Sequence, residues 1–110
     1  MPKLLVVALN GFVEGQEAEY NRWYDREHIP ALLRTPGMMR ARRFKIINTI
    51  KLPEGVNWPY LAVYEIETDD AAAFFKAMGA NAGEFSPAMD RSRSASIIAI
   101  EMSAQEKDQS

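Results

Sequence analysis

Residues 3–34, KLLVVALNGFVEGQEAEYNRWYDREHIPALLR, contain the first two elements of the predicted fold. Lys3 to Leu9 is a continuous apolar run closed by Asn10-Gly11, which predicts a β-strand buried on both faces. Gln16 to Arg34 contains no glycine and spaces its aromatic and aliphatic residues by three to five positions, which predicts an amphipathic helix. Pro30 should end or kink this helix, because proline lacks an N–H donor and clashes with the carbonyl one turn back.

A β-hairpin is predicted after the helix. Met38 to Asn48 mixes apolar and basic residues and predicts a second strand, and Tyr60 to Glu67, rich in β-branched and aromatic residues, predicts a third. The polar segment from Lys51 to Pro59 forms the turn between them.

A second helix and a last strand complete the pattern. Thr68-Asp69-Asp70 offers N-cap residues for a helix over Ala71 to Met78, which should end at Gly79. The stretch from Ala80 to Arg93 is too irregular to assign, and Ala95 to Met102 predicts the final strand.

The order β, α, β, β, α, β predicts an α+β, ferredoxin-like domain with a four-stranded antiparallel sheet. Residues 1–102 form this single domain, and 103–110 are a polar tail expected to fray. Three strands are apolar at successive positions, so both faces of the sheet need cover, and a second copy packed sheet to sheet is the expected partner.

Composition narrows the function. The 110 residues are 47% hydrophobic and 25% charged, which is typical of one globular domain. A net charge of -2 gives no reason to expect nucleic acid or an anionic membrane as partner. The chain has no cysteine, which excludes disulfides and thiolate chemistry and fits a cytoplasmic location. The apolar run Leu4 to Leu9 is too short to span a bilayer.

His28 is the only histidine, and Asp25 precedes it by three positions, so on an α-helix the two side chains can touch. A carboxylate beside an imidazole raises its basicity, as a general base requires. Tyr24 adds a hydroxyl donor and Trp23 an apolar wall. The alternative is structural: His28 caps the helix and the aromatic residues belong to the core.

Other candidate binding residues lie on the predicted strands. Arg40, Arg42 and Arg43 can form an anion clamp, although a solvated strand edge paired with Glu27 or Glu65 is the preferred interpretation. Tyr60 and Tyr64 share strand parity and can reach the side covered by helices. No phosphate-binding glycine loop, metal-ligand spacing or nucleophile elbow is present, so no cofactor or metal is expected.

The stretch Glu19–Phe44 resembles the EthD-like family of the dimeric α+β barrel superfamily. It covers about a quarter of the chain. The family pattern is Trp-Tyr-Asp-x-x-His-x-Pro on the first helix, then Pro-Gly and an Arg-Phe strand. The matching residues are Asn21, Trp23, Tyr24, Asp25, His28, Pro30, Pro36, Gly37, Arg43 and Phe44.

The resemblance implies a homodimer with a cleft between sheet and helices in each subunit, binding a small organic molecule. Relatives include cofactor-free cyclases, isomerases and quinone-forming monooxygenases, and accessory proteins of degradation pathways. The favoured hypothesis is a lyase or isomerase in which His28 removes a proton, Asp25 orients it, and Tyr24 or Arg43 stabilises the oxyanion. A non-catalytic binding protein and a cofactor-free oxygenase of phenols are the alternatives.

Overall fold

A computed structural model describes residues 1–54 and 57–108. Its elements, in chain order, are β1 (Lys3–Phe12), α1 (Glu17–Trp23), a π-helical turn (Tyr24–His28), α2 (Ile29–Leu33), β2 (Met38–Lys45), β3 (Tyr60–Glu67), α3 (Ala71–Ala82) and β4 (Met89–Ile100). The four strands form one antiparallel sheet in the order β2-β3-β1-β4. The predicted α+β, ferredoxin-like class is confirmed.

The sheet buries one face against the helices. Along β3 the residues Tyr60, Ala62, Tyr64 and Ile66 are buried, and the residues between them are only half-buried. This alternation is that of a strand with one face in the core. The predicted parity of Tyr60 and Tyr64 is therefore confirmed, and β1 places Val6 and Asn10 on the same side.

The first helix is not a continuous α-helix. A π-helical turn separates α1 from α2, and the Ile29 N–H bonds to the carbonyl of Tyr24, five residues back. Pro30 explains the change, because it has no N–H to offer the carbonyl of Arg26. The predicted distortion at Pro30 is present, but it widens the helix one turn earlier instead of ending it.

Helix α3 begins where predicted and ends later. Asp70 is the N-cap, with its carboxylate accepting a 3.0 Å hydrogen bond from the Ala73 N–H. The predicted stop at Gly79 is wrong, because the helix continues to Ala82 and ends at Gly83, whose φ of 61° lies in the left-handed region. One interior glycine costs a helix only about 1 kcal/mol, which packing can offset.

Three strand boundaries also differ from prediction. β1 runs through Asn10-Gly11 to Phe12, because beyond a bulge at that point it pairs with Met89 and Asp90. β4 therefore begins inside the stretch that the sequence left unassigned. β2 ends at Lys45 and not at Asn48. The predicted turn from Lys51 to Pro59 includes residues 55 and 56, which lie outside the described residues, as do 109 and 110 of the predicted tail.

The second face of the sheet is apolar and open in the single chain. Leu5, Val7 and Leu9 of β1 are half-buried there, where the sequence predicted burial on both faces, and Ile97 of β4 is 55% exposed. The expected homodimer would cover this face and remains a prediction. Within residues 1–54 and 57–108, no helix has both the length and the apolar character needed to cross a membrane.

Candidate functional site

A cavity of about 440 Å³ lies between the sheet and the helices. Strands β1 and β4 form its floor, and α3, the π-helical turn and the segment after α3 form its walls. Most of the lining is apolar, with a few polar groups at defined points, which is the usual character of a small-molecule site. The residues that line it are Val6, Ala8, Asn10, Tyr24, His28, Leu32, Tyr64, Phe75, Met78, Gly79, Ala82, Phe85, Met89, Arg91, Ser94, Ala95 and Ser96.

His28 lies at the cavity wall among three aromatic rings. Its imidazole stacks on Trp23, with ring centroids 4.5 Å apart and planes 22° apart. The edges of Tyr24 and Phe85 meet it at 4.9 Å and 5.1 Å. Only 7% of the residue is exposed. The ring is therefore held in one orientation by aromatic packing and not by a hydrogen-bonded partner.

The same packing makes His28 neutral. Burial among apolar groups disfavours the charged imidazolium and lowers the pKa of His28 from its ordinary 6.5 to about 4. The Nδ1 atom is sealed from solvent and has no hydrogen-bond partner within residues 1–54 and 57–108. The other ring nitrogen, Nε2, is therefore the atom of His28 available for chemistry in the cavity. At neutral pH it belongs to an uncharged imidazole.

The predicted contact between Asp25 and His28 is wrong. Asp25 is exposed, and its Oδ1 accepts a 3.0 Å hydrogen bond from Nη1 of Arg43. The π-helical turn causes the difference. On an α-helix two residues three positions apart lie on the same face, but the i to i+5 bonding of this turn changes the angle between their side chains about the helix axis. His28 therefore receives no carboxylate assistance, and its pKa is lowered where the pairing would have raised it.

A chain of three buried polar side chains reaches the cavity beside His28. The Asn10 side-chain amide donates a 3.0 Å hydrogen bond to the hydroxyl of Tyr24, and that hydroxyl lies 3.0 Å from the hydroxyl of Tyr64. Two tyrosine hydroxyls carry two protons, and their mutual hydrogen bond uses one. Whichever tyrosine donates within the pair, one hydroxyl proton is left for a ligand.

Both tyrosine hydroxyls stay protonated at neutral pH. Burial raises the pKa of Tyr24, although hydrogen bonds from Tyr64 and Asn10 oppose the rise. Burial also raises the pKa of Tyr64 well above its ordinary range, and the neighbouring Tyr24 adds to the effect. The pair is thus a hydrogen-bond donor to the cavity, and not a base.

Four of the predicted site residues form a second cluster on the far side of Tyr24, away from the cavity. Arg43 donates to Asp25 and, at 2.8 Å, to the side-chain oxygen of Asn21. Asn21 in turn donates to the hydroxyl of Tyr60 at 3.2 Å. The Arg43 guanidinium lies over the Tyr24 ring, 4.5 Å from its centroid, in cation–π geometry. The cluster fixes Tyr24 from behind and does not line the cavity.

The remaining arginines follow the preferred interpretation of the sequence. Arg40 and Arg42 lie on the open face of β2, and both pair with Glu65 on β3, at 4.0 Å and 3.5 Å. Glu27, the other partner considered, binds Arg22 instead. The alternative interpretation, an anion clamp of three arginines, is wrong, since Arg43 faces the opposite side of the strand.

Comparison with known proteins finds no matching family model and no matching curated protein. Among solved structures, the chain is similar to an ethyl tert-butyl ether D (EthD) family protein from Bacillus halodurans, with 18% identity, a TM-score of 0.61, and coverage of 93% of this chain and 100% of that one. This chain shares the fold of that protein. The family resemblance stated from residues 19–44 is thus supported by a shared fold.

Two further solved structures share the fold of this chain. SnoaB, a cofactor-independent oxygenase from Streptomyces nogalater, has 16% identity and a TM-score of 0.56, covering 96% of this chain and 97% of that one. HapK from Hahella chejuensis has 14% identity and a TM-score of 0.58, covering 98% and 99%. Identities this low identify a common architecture rather than a common substrate.

Three residues of the cavity were missed by sequence reasoning. Asn10 was assigned to the end of β1, although it has the inward parity of Val6 and Ala8, which was a usable signal. Phe85 and Arg91 lie in the stretch left unassigned, and no local pattern marked them. Across the described ranges, no group of three or more His, Cys, Asp or Glu side chains is arranged to hold a metal ion.

Proposed function

We propose that this protein is a cofactor-independent enzyme that moves a proton on a small aromatic or cyclic carbonyl compound held in the cavity. One observation carries the proposal: a neutral histidine, His28, lies at the wall of an apolar cavity with one ring nitrogen sealed and unpartnered. The cofactor-independent oxygenase SnoaB, which shares the fold, is an example of cofactor-free chemistry in this architecture.

The unpartnered nitrogen argues for a functional role. A buried polar atom without a hydrogen bond costs a fold about 1–3 kcal/mol. An apolar ring at position 28 would fill the same aromatic nest of Trp23, Tyr24 and Phe85 without that cost. A histidine at position 28 therefore does not increase the stability of the fold. A residue that is unfavourable for stability is more often found where it serves a function.

In the proposed step, Nε2 of His28 removes a proton from the bound molecule. The electron pair left behind moves to the carbonyl oxygen of the substrate. The free hydroxyl proton of the Tyr24–Tyr64 pair can donate a hydrogen bond to that oxygen and stabilise its negative charge. A free imidazole of low pKa is a weak base. The negative charge that develops beside it in a site of low dielectric favours the imidazolium and raises its basicity when it is needed.

The other predicted site residues take supporting roles. Trp23 holds the imidazole plane, and Arg43, over the ring of Tyr24, favours negative charge near that phenol. Asn21, Asp25 and Tyr60 hold Arg43 in place. We also retain the homodimer in this proposal, because the open sheet face is apolar.

Anthrone, a cyclic aromatic ketone with an acidic methylene group, tests the proposal. Exchange of its methylene protons in deuterated buffer without oxygen measures proton removal alone, and oxygen uptake in air measures a following oxidation to anthraquinone and water. The expected result is catalysed exchange in wild type, loss in His28→Phe by about a hundredfold or more, and retention in Asp25→Asn.

The outcomes separate the three hypotheses. Exchange without oxygen uptake supports isomerase or lyase chemistry, and exchange with uptake supports an oxygenase. Equal exchange in wild type and His28→Phe would refute the role of His28. Ligand binding without exchange of any enolisable probe would favour an accessory binding protein.

A further inference from the structure

Arg91 is a positive charge at the wall of an otherwise nearly uncharged cavity. It extends from β4, and among the lining residues the others are apolar, hydroxyl, amide or the neutral His28. We propose that the cavity takes a small aromatic acid, whose anionic group binds the Arg91 guanidinium while its ring lies in the apolar interior toward His28. This inference rests on the proposed use of the cavity as a ligand site.

The Arg91 guanidinium forms no ion pair with any described residue. Arg93, two residues along the strand, binds Asp90 at 3.1 Å and also the Phe12 carbonyl. Glu84 shares a shallow surface depression with Arg91, yet the two form no ion pair, and Arg91 has no carboxylate partner anywhere in the described ranges. The arginines that do pair with carboxylates are Arg22, Arg40, Arg42, Arg43 and Arg93.

The Phe85 ring lies next to both the Arg91 guanidinium and the His28 imidazole. The Arg91 guanidinium carbon lies 5.3 Å from the Phe85 centroid, and the His28 centroid lies 5.1 Å from that same point, so the two groups are within about 10 Å of each other. A fused or single aromatic ring with an acid group spans such a distance. Its anionic end then lies at Arg91 and its reacting carbon or hydroxyl at His28.

The chemistry of the lining favours an acid over a neutral ligand. A guanidinium binds a carboxylate through two parallel hydrogen bonds, which are charge-assisted and stronger than neutral ones. Stacking on Phe85 holds the planar guanidinium in place before the ligand arrives and reduces the entropy lost on binding. A ligand with a second charge deeper in the cavity would have to leave that charge unpaired, so one anionic group is the expected number.

Calorimetric titration with hydroxynaphthoate and its neutral amide, hydroxynaphthamide, at pH 7 tests the inference. Arg91→Gln removes the charge, and Arg34→Gln is the matched control, since Arg34 is exposed, does not line the cavity and forms no ion pair with any described residue. Gly79→Phe reports whether binding is in the cavity, because Gly79 lines it and a Cβ there would meet no heavy atom within 4 Å. Thermal melting checks that each variant folds.

We expect wild type and Arg34→Gln to bind the acid about tenfold more tightly than the amide. Arg91→Gln should bind both alike, and Gly79→Phe should lose both. An unchanged preference for the acid in Arg91→Gln, equal binding of acid and amide to wild type, binding that survives Gly79→Phe, or no binding of either probe would each overturn the inference. None of these results decides the proposed proton transfer, which the exchange assay with His28→Phe tests separately.

Discussion

The His28 imidazole stacks on the Trp23 indole, with ring centroids 4.5 Å apart, and makes no contact with the carboxylate that the sequence predicted as its partner. The stack orients the ring without a hydrogen bond, and the loss of hydration on burial outweighs the attraction of the indole face for an imidazolium. The result is a histidine that stays neutral over the physiological range. The pH dependence of stability and the chemistry of the cavity both depend on this relationship.

Stability should fall in acid because of His28. Its pKa is about 4 in the folded chain against an ordinary 6.5, so between these values the unfolded state binds a proton that the folded state does not. The free energy of unfolding should therefore decrease as the pH falls through this window, by up to about 1.4 kcal/mol per pH unit. Above pH 6.5 the contribution is constant.

His28→Phe is the comparison that isolates this effect. Denaturant unfolding of both proteins from pH 7.5 to 4 should give a difference that moves in favour of the variant as the pH falls. At pH 7 the variant should be at least as stable as wild type, by up to about 3 kcal/mol, because phenylalanine removes the unpaired buried nitrogen. Parallel pH profiles would contradict the assignment of a buried neutral imidazole.

The tyrosine pair gives a second prediction. Tyr24→Phe removes the acceptor of the Asn10 amide and leaves that buried donor unpaired, which should lower the free energy of unfolding by about 1–3 kcal/mol. Tyr64→Phe leaves Asn10 bonded to Tyr24 and should cost less. Both variants should slow anthrone exchange, because the remaining hydroxyl keeps its proton but loses the neighbouring hydroxyl that orients and polarises it.

Tyr60→Phe is the matched control for the pair. Its hydroxyl donates to Glu17 and accepts from Asn21, outside the cavity. We expect a change in stability with little change in the exchange rate. A loss of exchange in Tyr60→Phe as large as that in Tyr64→Phe would argue against a specific role for the cavity hydroxyls.

Gly79 gives a third prediction, which concerns the stability of helix α3. It is an interior residue of α3 with open space at its Cβ position, so Gly79→Ala should raise the free energy of unfolding by about 0.5–1 kcal/mol. Gly83→Ala should do the reverse, because its φ of 61° disfavours a side chain. Thermal or denaturant melting distinguishes the two signs, and destabilisation by Gly79→Ala would contradict the open space beside it.

Sequence patterns predicted the features that depend on local chemistry. The β-branched and aromatic content of Tyr60 to Glu67 predicted the bounds of β3, and strand parity predicted the shared face of Tyr60 and Tyr64. Asp70 was an N-cap candidate because its carboxylate can accept from the first turn. The element order followed from these local signals, and the order specified the fold.

Features that depend on neighbours distant in sequence were not predictable. The contact of Asp25 with Arg43 needs β2 beside the helix, and it competes with the local contact that α-helical spacing predicted for Asp25 and His28. The continuation of α3 beyond Gly79 depends on packing that propensity does not include. Arg91 became a candidate only when β4 was placed beside Phe85.

The most direct test is nitrogen NMR of the imidazole, since His28 is the only histidine and gives one unambiguous set of signals. Without ligand, the ring should remain neutral as the pH is lowered to about 4. Adding a hydroxynaphthoate at pH 7 should shift the Nε2 signal, because the ligand hydroxyl donates a hydrogen bond to that nitrogen and so lies within reach of the proposed base. A ring that titrates near 6.5 and does not respond to the ligand would contradict the account.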